Sequence, residues 1–103
     1  MTMSCTHDAS KRVSDAMQIA TPFESVVAKL DASKAQYMIF SGDQQISLEA
    51  IRSKGVHTLA PVHILVKSES LKGHVREDEI LTLTFDRGGG LTDRNCKLVF
   101  TGP

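Results

Sequence analysis

The chain has 103 residues, which is enough for one compact domain and too few for two. Its hydrophobic content of 41% and charged content of 23% are typical of a soluble globular protein. The longest apolar runs are far shorter than the ~20 residues that a transmembrane helix needs, so no membrane association is predicted. Twelve basic and twelve acidic residues cancel, which excludes the strong basic excess of a dedicated DNA-binding protein.

The N-terminus is predicted to be a flexible tail over residues 1–7, followed by a single domain over residues 8–103. The first twenty residues contain no apolar core of signal-peptide length. Cys5 falls in the tail and Cys96 in a predicted strand, so we interpret both as free thiols in a reducing compartment. The predicted location is therefore cytoplasmic.

A first helix is predicted over residues 8–20, with Asp8 as its N-cap and Val13 and Met17 on one side. Its apolar stripe is thin, and a disordered segment is the alternative.

A second, amphipathic helix is predicted over residues 22–31. Thr21 suits the N-cap, Pro22 suits the first helical position, and Glu24 would complete a capping box. Four apolar residues then recur with helical spacing and must pack on another element: Phe23, Val26, Val27 and Leu30.

From residue 35 onward the apolar residues alternate, which predicts β-strands at about 35–41, 44–51, 59–67, 78–86 and 95–101. Joined by short turns, four or five such strands form a curved antiparallel meander, and the helix at 22–31 is the natural cover for its apolar face. The predicted fold class is thus α+β, with a small closed β-barrel bearing an N-terminal helix as the alternative.

The first turn, at Gly42, would pair Ile39 with Ile46. The strand would then continue to residue 51, although residues 48–54 could instead form a short helix capped by Ser47 and ended by Gly55. A loop at residues 54–56 would then place Ile46 opposite Ile64. Pro61 is an obstacle to that pairing, because proline belongs at a strand start, an edge or a bulge.

Two later turns predict the remaining pairings. A turn at Gly73 would pair Val66 with Leu81 and make the polar segment 67–78 a protruding ribbon or a loose loop. A glycine-rich loop over residues 87–94 would pair Phe85 with Cys96.

The other sheet face is mixed rather than polar. Its apolar residues are Met38, Phe40, Leu65, Ile80 and Val99. Such a patch is often covered by a partner. The alternatives are that the helix at 8–20 covers some of these residues and that the others are ordinary scattered surface apolar residues. The first functional hypothesis is therefore a small non-enzymatic binding or adaptor protein that acts through this face, as a homo-oligomer (a dimer) or with a protein partner.

Two alternatives are kept. The first is a nucleic-acid-binding small barrel that uses the basic loops 52–57 and 67–76, with contacts from Arg52, Lys54, Lys67, Lys72 and Arg76. The second is a small-molecule pocket between helix and sheet, with Tyr37 or His63 as a polar anchor.

No catalytic residue, metal site or cofactor is predicted, and an enzyme is the least supported class. Cys5 and His7 have no second pair at zinc-site spacing, and the acidic run 77–79 lacks the spacing of a calcium loop. The triple glycine at 88–90 leads to a strand rather than to a phosphate-binding helix. In outline, a helix followed by a meander is similar to cystatin-like sheets and Sm-like barrels, and this topological similarity implies no function.

Overall fold

The computed structural model describes residues 5–55 and 61–101, which form an α+β fold with an open antiparallel sheet. The described helices are α1 (Asp8–Ala16), α2 (Phe23–Ala32) and α3 (Leu48–Lys54). The described strands are β1 (Tyr37–Ser41), β2 (Gln44–Ile46), β3 (Val62–Lys72), β4 (Val75–Phe85) and β5 (Leu91–Thr101). Their order in the sheet is β2-β1-β3-β4-β5, so the alternative of a closed barrel is wrong. Within the described ranges, no helix is both long enough and apolar enough to span a membrane.

Helix α2 confirms the amphipathic helix, and its apolar stripe is buried against the sheet. Val26 and Leu30 have no exposed surface, and neither do Ile64, Leu81 and Leu83 on the sheet. These side chains fill the helix–sheet interface, which is the main source of hydrophobic stabilisation in this fold.

The predicted capping box at the start of α2 is wrong. The helix begins at Phe23, no side chain caps it, and the Thr21 hydroxyl donates to the carbonyl of Gln18 instead. Glu24 instead forms an ion pair with Arg52 of α3.

Helix α1 ends at Ala16, four residues before its predicted end. Its last carbonyls are held by two cations from elsewhere in the chain. Arg94 Nη1 donates to the carbonyls of Ser14 and Met17 at 2.7 and 2.6 Å, and Lys29 Nζ donates to that of Ala16 at 2.8 Å. Positive charge at a helix C-terminus satisfies these carbonyls and complements the helix dipole.

The β1–β2 hairpin has the predicted pairing of Ile39 with Ile46, but β2 ends there. The extension of this strand to residue 51 is wrong, and the helical alternative is observed as α3. Ser47 caps it by accepting the amide of Ala50 at 3.1 Å, and Ile51 is buried in the core. Burial of Ile51 and the cap favour the helix over two further strand pairs.

The chain is not a simple meander, because β3 pairs with β1 rather than with β2. Ile64 lies opposite Ile39, so the predicted pairing of Ile64 with Ile46 is wrong. Helix α3 lies in the connection between β2 and β3, which flank β1 on opposite sides. Pro61 then precedes the first residue of β3, which is a position that proline tolerates.

The β3–β4 hairpin confirms its predicted register. Val66 lies opposite Leu81, and the pairing continues without interruption to Lys72 and Val75. Gly73 has φ +65°, and a positive φ is what the first turn residue of a two-residue hairpin loop requires. The polar segment is therefore a paired ribbon, and both strands are longer than predicted.

The predicted register of the β4–β5 hairpin is wrong by four residues. Cys96 lies opposite Leu81 rather than Phe85. The loop is shorter than predicted, because Asp86 closes it: its amide donates to the Gly90 carbonyl and its carboxylate accepts the Gly90 amide, both at 2.9 Å. Since four is an even number, each β5 side chain keeps its predicted face.

Candidate functional site

The sheet has a helix-covered face and a second face that no described element covers. The pairings of Met38 with Leu65 and of Lys67 with Ile80 place the predicted interaction residues on this second face. With Phe40 at one end and Val99 at the other, the five apolar side chains run diagonally from β1 to β5. Met38 is 42% exposed and the other four are half-buried.

A shallow cavity of about 350 Å3 lies at the β1 end of this stripe. Phe40, His63, Leu65 and Thr82 line it together with the turn at Gly42. His63 Nδ1 lies 3.2 Å from the hydroxyl of Thr84, its cross-strand partner on β4, and this contact holds the ring in position.

The two predicted ligand anchors do not meet. His63 belongs to the second face, whereas Tyr37 lies at the helix-covered side, where its hydroxyl donates to Asp31 at 3.0 Å. Burial and this hydrogen bond raise the pKa of Tyr37, so it remains a neutral donor at physiological pH. A pocket that uses both residues is not formed.

The predicted nucleic-acid contacts are largely engaged with carboxylates. Arg52 makes a two-point contact with Glu24, with Nη2 to Oε1 at 2.9 Å and Nε to Oε2 at 3.1 Å, and this guanidinium lowers the pKa of Glu24. Lys54 follows in the last turn of α3 and Lys72 ends β3.

On the ribbon, Lys67 and Arg76 lie around two carboxylates that face each other across the strands. Arg76 is 2.6 Å from Glu69 and 3.0 Å from Asp78, and Lys67 is 3.3 Å from Glu69. The cations therefore offset a like-charge pair of the same chain at its surface, which leaves less positive charge for phosphate groups.

A latch formed by Cys5, Cys96 and Glu79, which no sequence pattern predicted, holds the N-terminal segment on the sheet. A disulfide joins Cys5 to Cys96, so the interpretation of both cysteines as free thiols is wrong, and the argument from it for a reducing compartment is lost. Residues 5–7 of the predicted tail lie against the sheet, while residues 1–4 lie outside the described ranges. The signal was hidden because 91 positions separate the two cysteines.

Glu79 is the second part of this latch. Its carboxylate is 1% exposed and accepts the amides of Thr6 and His7 at 2.7 and 2.8 Å, as well as the Thr6 hydroxyl. Burial raises the pKa of Glu79, but these hydrogen bonds together outweigh it and leave the pKa below its ordinary value. Glu79 thus anchors the segment that leads into α1.

Glu79 and the two cysteines also place three potential ligand atoms within 4.8 Å of one another. The sulfurs are joined in a disulfide rather than present as thiolates, and both Glu79 oxygens already accept hydrogen bonds. This arrangement is a structural anchor.

Comparisons of the chain with protein-family models, curated proteins and solved structures find no match.

Proposed function

We propose that this chain is a small non-enzymatic binding protein that pairs with a second copy of itself through the second sheet face. The observation that carries the proposal is the diagonal apolar stripe on a face that no described helix covers, while α1, α2 and α3 all contribute buried residues on the other side. Apolar side chains grouped in this way mark a surface that is covered in the functional state.

The charges of the face favour a second copy as its occupant. The described strands place three cations and three carboxylates there: Lys67, Arg76 and Lys97, with Glu69, Asp78 and Asp93. A surface with equal numbers of both signs can meet its own image without net repulsion, and a two-fold interface requires such self-complementarity.

The size of the face also suits a dimer. Five strands spaced at ~4.8 Å, with the longer ones reaching ~36 Å, present an area of roughly 600–800 Å2. A stable interface buries about 800 Å2 per partner. The face is therefore large enough for a sandwich of two sheets.

Sedimentation velocity over a range of concentrations tests the proposal. The wild-type chain should reach twice its mass of 11.2 kDa, and Leu65→Glu should return it to the monomer mass because a charge would be buried at the centre of the interface. Ile19→Glu is the matched control, since Ile19 is 56% exposed and lies between α1 and α2, away from the face.

Two results would count against the proposal. A wild-type chain that stays monomeric at millimolar concentration would remove the second copy as occupant and leave a different protein partner to be sought. Equal dissociation by Leu65→Glu and Ile19→Glu would show that the interface lies elsewhere.

A further inference from the structure

A groove of about 590 Å3 separates α1 from the end of α2, above the middle of β3. Its walls are formed by residues 9–17 on one side and residues 29–36 on the other, with Val66 and Ser68 of β3 as the floor. The groove shares Lys67 with the proposed dimer face, and the latch residues Cys5, Glu79 and Cys96 do not line it. Its volume lies in the range of sites that hold small organic ligands.

The lining combines an apolar interior with a cationic rim. Lys67 of β3 lines the groove, but its ammonium already pairs with Glu69 and Asp78. Val13, Met17 and Val66 supply apolar surface, and Arg12, Lys29 and Lys34 supply further positive charge, with no acidic side chain in the lining. Lys29 is held across the groove by its bond to the Ala16 carbonyl. In the described part of the chain, no carboxylate forms an ion pair with any of these three cations.

Polar hydroxyls lie at the floor beside this charge. Ser10 Oγ is 2.8 Å from Ser68 Oγ, which is also 2.7 Å from His7 Nδ1. Ser10 is 2% exposed, so this pair belongs to the packed wall and fixes the position of α1 relative to β3.

Lys34 occupies a backbone position that favours glycine. It has φ +58°, and the amides of Lys34 and Ala35 donate to the carbonyls of Asp31 and Leu30, both at 3.1 Å. These bonds form the Schellman motif that ends α2, in which glycine is the usual residue because a Cβ is unfavourable there. A lysine at this point costs about 1 kcal/mol of folding free energy relative to glycine, so Lys34→Gly should stabilise the fold.

We propose that the groove binds an organic anion with an apolar body, such as a medium-chain carboxylate. The anionic head would lie at Arg12 and Lys34, and the apolar chain would contact Val13, Met17 and Val66. Inorganic anions would bind weakly because they cannot contact the apolar surface. Neutral or cationic amphiphiles would also bind weakly because they cannot form ion pairs with the cationic rim.

Isothermal titration calorimetry with the full chain tests the proposal, using decanoate, decanol, decyltrimethylammonium and inorganic phosphate below micellar concentrations. Decanoate should bind most tightly, and NMR shifts should map to the groove. Lys34→Gly combined with Arg12→Gln should weaken decanoate binding by about tenfold, the effect of losing two exposed charge pairs. Lys11→Gln, on α1 but outside the lining, should bind as the wild type does.

Lys34→Gly alone separates a binding role from a structural one. The glycine should raise the melting temperature while weakening decanoate binding, whereas a residue that served only the fold would not show opposite effects. The proposal is overturned if decanol binds as tightly as decanoate, if Lys11→Gln loses as much affinity as the rim variants, if the NMR shifts map to the second face, or if decanoate does not bind.

Discussion

The disulfide between Cys5 and Cys96 should supply a large part of the stability of this domain. The two Cα atoms are 5.3 Å apart, and the bond closes a loop across 91 positions, nearly the whole described chain. Constraining an unfolded chain of about ninety residues in this way is worth about 4.6 kcal/mol at 25 °C in the chain-entropy description. Small domains hold only about 5–15 kcal/mol in total, so reduction should remove a substantial fraction.

We expect reduction to lower the free energy of unfolding by about 3–5 kcal/mol. With a urea dependence of about 1–3 kcal/mol per molar, the unfolding midpoint should fall by roughly 2 M. The assay is urea unfolding followed by far-ultraviolet circular dichroism, with and without a phosphine reductant. A variant with both cysteines changed to alanine is the control, because the reductant should not affect it.

A loss below about 1 kcal/mol would refute the reasoning, because a bond across so long a loop cannot be that weak unless the unfolded chain is already closed. A reductant effect in the double-alanine variant would show that the change has another source. Equal stability of the reduced wild type and this variant would support the account.

Three further predictions concern single residues. The hydrogen bonds to Glu79 stabilise the fold fully above its ordinary pKa of 4.5, and this stabilisation is lost as pH falls through its lower folded pKa. Glu79→Gln leaves a buried amide group facing the donors of Thr6 and should therefore lower the free energy of unfolding by about 2 kcal/mol or more at pH 7. The variant should also show a flatter dependence of stability on pH below 4.5. Ser47→Ala, which removes the acceptor for the Ala50 amide, should cost about 1 kcal/mol in chemical unfolding, and a loss near zero would contradict the cap. Gly89 has φ +85°, so Gly89→Ala should cost about 1–2 kcal/mol in thermal unfolding, and unchanged stability would mean that the loop has a different conformation.

The predictable part of the fold is the part where one tight turn joins two long alternating strands. In the β3–β4 hairpin the glycine at 73 fixes the turn, and any odd shift would expose Leu81 and Leu83. The stripe of α2 was predictable for the same reason, because its spacing leaves one buried face.

The register of β5 was not predictable in the same way. A four-residue shift keeps Cys96 on the core face, so alternation alone does not distinguish the two registers. The deciding contact is the Asp86 carboxylate on the Gly90 amide, a local bond that makes the loop short. Likewise, the position of β1 beside β3 depends on whether residues 48–54 form a helix or extend β2. Both alternatives bury few side chains of this segment, so the sequence does not decide between them.

The candidate sites also differ in whether local alternation is enough to predict them. The five residues of the second face follow from alternation, which assigns faces without needing the strand order. The latch and the groove depend on contacts between α1 and strands far along the chain, such as that between His7 and Ser68. Local periodicity contains no information about such contacts, and the thin stripe of α1 gave no sign of where it packs.

The two proposed sites lie mainly on opposite sides of β3 because its side chains alternate, and Lys67 is a residue that they share. Leu65 contributes to the second face, whereas Val66 and Ser68 form the floor of the groove. An anion in the groove would therefore leave the dimer face accessible. Decanoate should bind the monomeric Leu65→Glu variant with the same affinity as the wild type, as measured by calorimetry. A change in affinity between the two would mean that the sites are coupled through the strand, since a ligand alters an equilibrium only through its different affinity for the two states.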